Sequence, residues 1–457
     1  MVTIRKATAQ REPIDPSLDE VTIHTSSLFD SKHKTFLTDI TLTVDTKSGL
    51  ITSSHQRDHD QVLPAHTVSN SHTVDLRALT VLPGLVDAHT HIFLHPYAET
   101  SSTHQMRDES LVERVVRATN HVRSALEAGY TTYRDLGTEG LRDADVHFRD
   151  AVNRGIIPGP RLFVATECIA SSGGYEVRME NTLPGGIGAT APRISDPADG
   201  VYGVRAAVRR RLGAGADVIK FYADYRKRAL RFPEGGWPGQ CPIQFPPSGD
   251  LLYGDRNPNV LLFTQEEMDA MVDEAKRSNA PICAHAQSPE AVVMAAKAGV
   301  TSIEHGAWPS EEALQAMKDN ETIFVPTLSV FDLYLSDGSE EATRARKAIL
   351  GHTKAAFDKG IKIACGGDTG AFAHGDNARE LELLVEAGVP VLDVLQGATL
   401  TGWESCGGDL CGRRFGFLGP GWAADIVAFE GDVNKDVTVL RRPPVFVMKD
   451  GRVYKQP

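Results

Sequence analysis

The sequence predicts an α/β protein: a (β/α)8 TIM-like barrel with a small β-sandwich domain built from both ends of the chain. The middle of the chain alternates short apolar runs with helical segments, a pattern typical of parallel strands joined by crossover helices. Both ends carry short alternating segments rich in β-branched residues and lack a helical period, which indicates antiparallel strands. At 457 residues the chain is long enough for both parts, since such a barrel occupies about 250 residues.

These observations divide the chain into three parts. We expect a flexible N-terminal tail over residues 1–18, the β-sandwich over 19–80 and 408–457, and the barrel over 81–407. The segments EVTIHTSSLF and DITLTVD supply strands from the N-terminal side, and ADIVAFEG and PPVFVMKDGRVY supply strands from the C-terminal side. The last of these contains an Asp-Gly pair, which is a hairpin signal.

Eight apolar runs mark the strands of the barrel, and helices lie between them. The clearest helices are LVERVVRATNHVRSALEAG and TQEEMDAMVDEAKRS, and the second opens with Thr264 and Glu267 at the spacing of a capping box. The active site of such a barrel lies at the C-terminal ends of its strands. The predicted strands start at Val81, Thr131, Arg161, Asp217, Pro281, Val300, Thr322 and Ile361.

One connection departs from this regular spacing. Residues 223–263 form a segment far longer than the roughly 2 to 6 residues usual between a strand and its helix. Loops of this length are either functional or disordered, and the aromatic content of this one favours an ordered flap over the site. Its aromatic residues include Phe232, Trp237, Phe245 and Tyr253.

Composition excludes several classes of partner. The net charge of -12 disfavours binding to nucleic acid, and we interpret the run Arg209–Arg211 as solvated charges. The chain has no apolar stretch of about 20 residues and no signal-peptide pattern at its start. We therefore expect a cytoplasmic protein that acts on a small molecule and binds neither nucleic acid nor membrane, and the sequence is compatible with a homo-oligomer.

Six side chains that can bind metal ions follow apolar runs, at the predicted C-terminal ends of five strands. His89 and His91 form a His-x-His pair, and residues two apart on a strand point to the same side. The pair alone is weak evidence, but its combination with residues at four other strand ends predicts a metal centre. These other residues are Lys220, His285, His305 and Asp368.

Lys220 is the unusual member of this set. A protonated ammonium group beside divalent cations would be repelled, and burying it without a partner is costly. A neutral lysine amine can instead react with carbon dioxide to form a carbamate, whose two oxygens can bridge two metal ions. The alternative is a strand-end lysine paired with a surface carboxylate.

The arrangement resembles the two-metal members of the amidohydrolase superfamily, which carry His-x-His on strand one, a carboxylated lysine on strand four, histidines on strands five and six, and an aspartate on strand eight. The phrases LPGLVDAHTH and GPGWAADIVAF are similar to the opening and closing phrases of that superfamily. The segments AHAQSPEAVVMAAKAGVTSIEHG and GGDTGAFAHGDNARELELLVEAG are similar to the group of imidazolonepropionase-like proteins, Xaa-Pro dipeptidases and ochratoxin-hydrolysing amidases.

The resemblance implies two divalent metal ions, with zinc as the expected metal, although imidazole and carboxylate ligands also accept iron, manganese or cobalt. Two ions about 3.5 to 4 Å apart would activate a water molecule for attack on an amide carbon. Asp368 would accept a proton from that water and pass it to the leaving amine. The implied ligands are His89, His91 and Asp368 for the more buried ion, His285 and His305 for the second, and the carbamate of Lys220 as the bridge.

The expected function is metal-dependent hydrolysis of an amide C–N bond in a small substrate such as an N-acyl amino acid or a dipeptide. Tyr222, Tyr225 and Arg226 follow Lys220 and suit a substrate carboxylate, although arginines here can also be solvated loop charges. His374 follows Asp368 and either contacts substrate or packs within its loop.

Two residues depart from the pattern of the group. Gln287 and Tyr175 stand where some of its members have histidines, so the substrate preference of those members does not transfer directly. The alternatives are a cyclic amidase or deaminase similar to imidazolonepropionase, a decarboxylase with similar ligands, and a scaffold without catalytic activity.

Overall fold

The computed structural model describes residues 19–58, 72–174, 193–226 and 259–456, and it shows a TIM-barrel-like α/β fold. The expected tail over residues 1–18 lies outside these ranges. So do Tyr175 and the interior of the long connection, including the aromatic residues that favoured a flap.

The elements follow one another along the chain in three blocks. The first block contains β1 (Glu20–His24), β2 (Ser27–Asp30), β3 (Thr35–Leu37), β4 (Ile40–Asp45), β5 (Leu50–Gln56), β6 (Thr73–Asp75) and β7 (Thr80–Pro83). The second contains β8 (Leu85–Thr90), α1 (Ser102–Asp108), α2 (Leu111–Glu127), β9 (Tyr130–Asp135), α3 (Ala144–Asn153), β10 (Arg161–Val164), β11 (Cys168–Ala170), β12 (Ser195–Pro197), α4 (Gly200–Ala214), β13 (Ile219–Tyr222), β14 (Asp224–Arg226), β15 (Asn259–Leu261), α5 (Gln265–Arg277), β16 (Ile282–Ala286), α6 (Pro289–Ala298), β17 (Ser302–His305), α7 (Glu311–Asp319), β18 (Ile323–Val325), α8 (Leu328–Tyr334), α9 (Glu340–Asp358), α10 (Arg379–Glu386), α11 (Val391–Gly397) and α12 (Leu400–Ser405). The third contains β19 (Ile426–Phe429), β20 (Phe446–Lys449) and β21 (Arg452–Lys455).

The first and third blocks form two sheets. One has the strand order β5-β4-β1-β6, and the other has the order β21-β20-β19-β7-β2-β3, so it contains strands from both ends of the chain. Val21 and Leu42 of the first sheet belong to one buried apolar cluster with Val81, Ile426 and Met448 of the second. The two sheets therefore share a core, which the alternating pattern of these strands supplies.

The parallel strands of the second block form two further sheets. One has the order β10-β9-β8 and the other the order β12-β11-β13-β16-β17-β18. The predicted strands two to seven are present, and each starts within two residues of its predicted position. Between the two sheets, the carbonyl oxygen of Val164 accepts hydrogen bonds from the amides of Asp217 (2.8 Å) and Val218 (3.3 Å).

The first predicted strand is in fact two strands. The run that starts at Val81 contributes β7 to a terminal sheet and β8 to a parallel sheet, with Gly84 between them. A Cβ atom at Gly84 would lie 2.1 Å from Oγ1 of Thr131, so a side chain at the crossing point would collide with β9. The sequence does not reveal this change from one sheet to another, because both strands belong to one apolar run.

The prediction of a regular eighth strand at Ile361 is wrong. The segment IKIACG forms only an isolated bridge, between Ile363 and Phe324. Its neighbours are nevertheless β18 and β8: the amide of Phe324 donates to Lys362 (2.8 Å) and the amide of Ala88 donates to Cys365 (2.8 Å). The amide of Cys365 donates instead to the carbonyl of Gly397 (3.2 Å), which removes it from a strand ladder.

One helix begins at the capping residues that the sequence predicted. Thr264 and Glu267 form the predicted capping box at the start of α5. The described part of the chain contains no helix with the length and apolar character that a membrane crossing requires.

The arginine run on α4 is not simply solvated. Arg209 pairs with Glu274 (2.7 Å), Arg210 with Asp196 (2.9 Å), and Arg211 with Glu167 (2.7 Å). The run therefore links α4 to neighbouring elements, and Arg211 is mostly buried in doing so.

Candidate metal centre

The six predicted ligands lie at the C-terminal ends of the parallel strands. His89 lies in β8 and His91 directly after it, Lys220 in β13, His285 in β16 and His305 at the end of β17. Asp368 follows the bridged segment, and all of them are buried or mostly buried. The strands thus bring together residues that are up to 279 positions apart in the sequence (368 minus 89).

The side chains of this group approach one another closely. The Nε2 atoms of His89 and His91 lie 3.6 and 3.3 Å from Oδ1 of Asp368. The ring centroid of His305 is 5.0 Å from that of His89 and 4.6 Å from that of His285. One potential ligand atom each from His89, His305 and Asp368 lies within 4.8 Å of the others, which is a spacing that a metal ion can occupy.

Lys220 is buried within the same group. Its neighbour in the ladder between β13 and β16 is Cys283, so its side chain lies on the same face of the sheet as that of His285, two residues further along β16. Burial, and then the positive charge of Lys220, lowers the pKa of His89 to about 4. Burial and the nearby His89 lower the pKa of His305 to about 3, and burial also holds the pKa of His285 well below its ordinary value. These three imidazoles are therefore neutral near pH 7 and keep a lone pair for a metal ion.

Each of three histidines has its Nδ1 atom engaged. Nδ1 of His89 lies 2.9 Å from a carboxylate oxygen of Glu304, and Nδ1 of His91 donates to the carbonyl of Gly137 (2.9 Å). Nδ1 of His305 lies 2.8 Å from Oγ1 of Thr327. Partners of this kind orient metal-binding histidines and leave the Nε2 lone pair exposed to the ion.

The Nε2 atom of His285 is buried and has no hydrogen-bond partner among the residues that the structure describes. A buried polar atom without a partner costs free energy. An imidazole nitrogen left in this state beside two other histidines and a carboxylate suits a metal ligand, so the donor set fits divalent metal ions.

The backbone at the site is strained. His305 and Asp368 have φ angles of 73° and 63°, and Thr327, the partner of His305, has 52°. Residues other than glycine adopt this region at a cost of about 1–3 kcal/mol each, and such residues concentrate at functional sites. The amide of Thr369 donates to the carbonyl of His89 (3.1 Å), and this bond helps to hold Asp368 against the histidine pair.

Two supporting networks were missed at the level of sequence. Glu304 and Arg134 form a fully buried ion pair (2.8 Å) behind His89. Asp87 accepts hydrogen bonds from Thr369 (2.8 Å) and Asn377 (2.6 Å) and thereby fixes the residue next to Asp368. The available signal was charge inside otherwise apolar strands: TTYRD, VTSIE and LVDAHTH each contain a charged residue that a core position disfavours.

Two of the predicted substrate residues lie beside His285. The ring centroids of Tyr222 and Tyr225 are 5.2 and 5.0 Å from that of His285. Arg226 pairs through its backbone with Asn259, so β14 and β15 anchor the two ends of the long connection to each other. The side chain of Arg226 lies outside the described residues.

His374 is buried in the loop after Asp368. Its Nε2 atom lies 3.1 Å from the carbonyl oxygen of Leu94, and its ring stacks on that of His121 with centroids 4.4 Å apart. Burial holds its pKa well below the ordinary value. These contacts agree with the loop-packing alternative for His374.

Tyr97 is a further residue near the site that the sequence did not single out. It follows β8, and its amide donates to the carbonyl of Ala371 (2.9 Å) in the loop after Asp368. Burial, and then the charges of Asp368 and Glu139, raise the pKa of its hydroxyl well above the ordinary value. The phenol is therefore a neutral hydrogen-bond donor near the carboxylate.

Known proteins share this sequence and this architecture. A family model described as "Amidohydrolase family" matches residues 80–237 and 256–454. The ochratoxinase of Aspergillus niger is 30% identical over 410 residues, which cover 83% of this chain and 77% of that protein. Among solved structures, a Xaa-Pro dipeptidase with methionine bound in its active site is 29% identical with a TM-score of 0.75, and the match covers 95% of this chain and 100% of that one. The crystal structure of A. niger ochratoxinase is 26% identical with a TM-score of 0.74, and the match covers 96% of both chains.

Proposed function

The chain belongs to the amidohydrolase family, and we propose that it hydrolyses the amide bond of a small substrate that carries a carboxylate, such as an N-acyl amino acid or a dipeptide. The family match and the similar proteins show that this chain is a metal-dependent hydrolase that acts on a C–N bond. The similar proteins include an ochratoxinase and a Xaa-Pro dipeptidase, and these names support a linear amide as the substrate.

The observation that carries the proposal is the grouping of His89, His305 and Asp368, whose ligand atoms lie within 4.8 Å of one another at the strand ends. The engaged Nδ1 atoms and the orphaned Nε2 atom of His285 support the same assignment. The proposed ligands are His89, His91 and Asp368 for one ion, His285 and His305 for the second, and Lys220 between them.

The family generally uses a binuclear metal centre with a carboxylated lysine. We propose that Lys220 is that lysine here and that the metal is zinc. The burial of Lys220 beside the proposed ligands supports the carbamate, because a carbamate is an anion that two cations stabilise, whereas an ammonium group would be repelled. Imidazole and carboxylate ligands suit zinc.

Metal ions bound by these residues would acidify a water molecule and polarise the substrate carbonyl. Asp368, positioned against His89 and His91, is the proposed proton acceptor for that water. It would then deliver the proton to the leaving nitrogen, so that the amine departs uncharged. Tyr222, Tyr225 and Arg226 are proposed to hold the substrate carboxylate, and His374 remains a candidate substrate contact.

We also propose that the parallel segments close into one (β/α)8 barrel over residues 81–407, beside a β-sandwich domain formed by 19–80 and 408–457. The hydrogen bonds from Val218 to Val164 and from Ala88 to Cys365 support closure, since they join the two parallel sheets and the bridged segment. The apolar cluster shared by the terminal sheets supports the sandwich.

A substrate screen tests the proposed function. The metal-replete protein is incubated with Xaa-amino-acid dipeptides and N-acyl amino acids, and with a cyclic amide to test the ring-opening alternative. We expect release of a free amino acid from a linear substrate, and we expect chelator to abolish it and zinc to restore it. Hydrolysis of the cyclic amide alone, or activity insensitive to chelator, would contradict the proposal.

A further inference from the structure

We propose that Arg134 and Glu304 are positioning residues that act through Nδ1 of His89, and that the metal position held by His89 therefore binds its ion more tightly than the position held by His285 and His305. This inference rests on the ligand assignment of the proposed function. It concerns residues that face Nδ1 of His89 rather than the nitrogen assigned to the metal ion.

Arg134 and Glu304 form a network that crosses the interior beneath the candidate metal centre. Arg134 extends from β9, and its Nη2 atom lies 2.8 Å from Oε1 of Glu304 on β17. Its other nitrogens donate to the carbonyl oxygens of Ala88 (2.6 Å) and Ser405 (3.0 Å) and to Oγ of Ser302 (2.8 Å). Both charged side chains are completely buried, so each needs the other to offset the loss of hydration.

The two oxygens of Glu304 have different partners. Oε1 accepts hydrogen bonds from Arg134 and from Oγ of Ser302 (2.5 Å), whereas Oε2 faces Nδ1 of His89 at 2.9 Å. The first two contacts hold the carboxylate in place and balance its charge. The contact between Oε2 and Nδ1 fixes the tautomer of His89, so that Nδ1 carries the proton and Nε2 is free to bind a metal ion.

The histidines of the other metal position lack a carboxylate partner at hydrogen-bond distance. Nδ1 of His305 meets the neutral hydroxyl of Thr327. Nδ1 of His91, which shares the metal position of His89, donates to a backbone carbonyl and lies 3.5 Å from a carboxylate oxygen of Glu139. Nε2 of His285 makes no hydrogen bond within the described part of the chain, and the carboxylate of Asp224 lies 3.9 Å from it. A carboxylate partner makes an imidazole a stronger ligand than a neutral partner does, and loss of such a partner typically costs about 10- to 100-fold in metal affinity. The geometry therefore makes the two metal positions unequal.

The experiment measures metal binding rather than turnover. Wild-type protein and the variants Glu304→Gln and Arg134→Met are loaded with zinc, dialysed and analysed for bound metal, and the affinities are measured by competition with a chromogenic chelator. We expect two equivalents in the wild type, with one tight and one weaker. In both variants we expect the tight position to weaken by about 10- to 100-fold.

Two conservative variants separate positioning from folding. Glu304→Asp keeps the charge but withdraws the carboxylate from His89, and Arg134→Lys keeps the charge but loses the fork of donors. We expect both to fold and to show intermediate affinity at the tight position. Thr327→Val is the matched variant at the other position, where we expect only the weaker ion to be affected.

Arg161→Met provides the control for general destabilisation. Arg161 also forms a buried pair with a carboxylate, Asp425 (2.8 Å), but it does so at the start of β10, away from the predicted ligands. We expect this variant to lower the melting temperature while it retains both ions at wild-type affinity. Equal loss of both ions in Arg161→Met and Glu304→Gln would overturn the inference.

The outcomes separate this inference from the proposed function. A wild-type protein that binds no zinc would overturn the proposed function and this inference with it. Two ions of wild-type affinity in both Glu304→Gln and Arg134→Met would overturn this inference alone. Selective weakening of the tight position, graded through Glu304→Asp and Arg134→Lys, would establish it.

Discussion

The side chain of Asp368 has two proposed roles, as a metal ligand and as a proton acceptor. Its Oδ1 atom lies within 3.6 Å of Nε2 of both His89 and His91, and its backbone has a left-handed conformation. A carboxylate held in this way can both bind a metal ion and exchange a proton with a neighbouring water molecule.

The variant Asp368→Asn separates the role of proton acceptor from that of metal ligand. The amide keeps the shape and one oxygen ligand but cannot accept the proton, so we expect the fold to remain and kcat to fall by about 10²- to 10⁴-fold. The measurement is kcat on the best substrate of the screen, together with circular dichroism and metal content. Near-normal turnover in a folded, metal-loaded variant would exclude Asp368 as the proton acceptor.

Tyr222 and Arg226 offer a second prediction at this scale. If they hold the substrate carboxylate, Tyr222→Phe and Arg226→Ala should raise KM for an acidic substrate, by about 10-fold or more for the arginine, since a hydrogen bond to a charged group contributes about 1.5–3 kcal/mol. The control is the same substrate with its carboxylate amidated, for which the variants and the wild type should match. An equal rise in KM for both substrates would indicate a packing role.

The strand-end positions of the proposed metal ligands were predictable from sequence, and the residues that support these ligands were not. Each predicted ligand follows an apolar run and precedes a polar turn, so a local pattern shows that it stands at a strand end. Glu304 stands next to His305 in the sequence but serves His89, which is 215 residues away. Only the folded structure, in which a side chain of β8 meets one of β17, reveals that partnership.

At the scale of elements, the bridged segment before Asp368 shows what a sequence pattern omits. IKIACG has the composition of a strand, yet Gly366 and Gly397 let backbones pack directly against each other there. A Cβ atom at Gly366 would lie 2.7 Å from the amide nitrogen of His89, and one at Gly397 would lie 2.8 Å from the carbonyl oxygen of Ile363. A side chain at either position would therefore collide with neighbouring backbone.

Gly366→Ala tests the importance of this close approach. The added methyl group collides with the backbone of β8, so we expect a loss of stability of about 1–3 kcal/mol and reduced turnover, because the collision lies between His89 and Asp368. The measurements are the midpoint of chemical unfolding and kcat.

Gly351→Ala is the matched control for that change. Gly351 lies within α9, and a Cβ atom there meets nothing within 4 Å. Replacing glycine by alanine within a helix stabilises by about 0.5–1 kcal/mol, so we expect a small gain in stability and unchanged turnover. If both variants behave alike, the tight contact at Gly366 has no special role.

At the scale of the whole molecule, charged groups join the terminal sheets to the parallel strands. Arg161 at the start of β10 contacts Asp425 (2.8 Å) and Asp450 (2.7 Å), and Nζ of Lys449 in β20 donates to the carbonyl of Gly159 (2.6 Å). The alternating pattern predicted the strands near the C-terminus, but not where they would attach, because such contacts leave no periodic signal. Lys449 is buried in this contact region, which makes the attachment sensitive to pH.

The sign of that sensitivity follows from the position of Lys449. Burial, and then the charge of Arg161, lowers the pKa of Lys449 to about 8 in the folded protein, against 10.5 for the ordinary group. Between these values the unfolded chain binds more protons than the folded one, so the contribution of Lys449 to stability rises with pH. It is fully present above about pH 10.5 and is lost as the pH falls through 8, with a total change of up to roughly 3 kcal/mol.

Lys449→Met removes this titration while keeping an apolar side chain of similar length. We expect the melting temperature of the wild type, relative to Lys449→Met, to rise steadily between pH 8 and pH 10, and to stay constant below about pH 7. Lys435→Met is the control, since Lys435 is 83% exposed and its pKa is raised by Asp432 rather than lowered. Its difference from the wild type should be flat from pH 8 to pH 10, because both the folded and the unfolded chain keep that lysine protonated over most of this range. If the difference for Lys449→Met were also flat, the contacts of the buried ammonium group would stabilise it as much as water does. The attachment of the terminal sheets would then not depend on the protonation of Lys449.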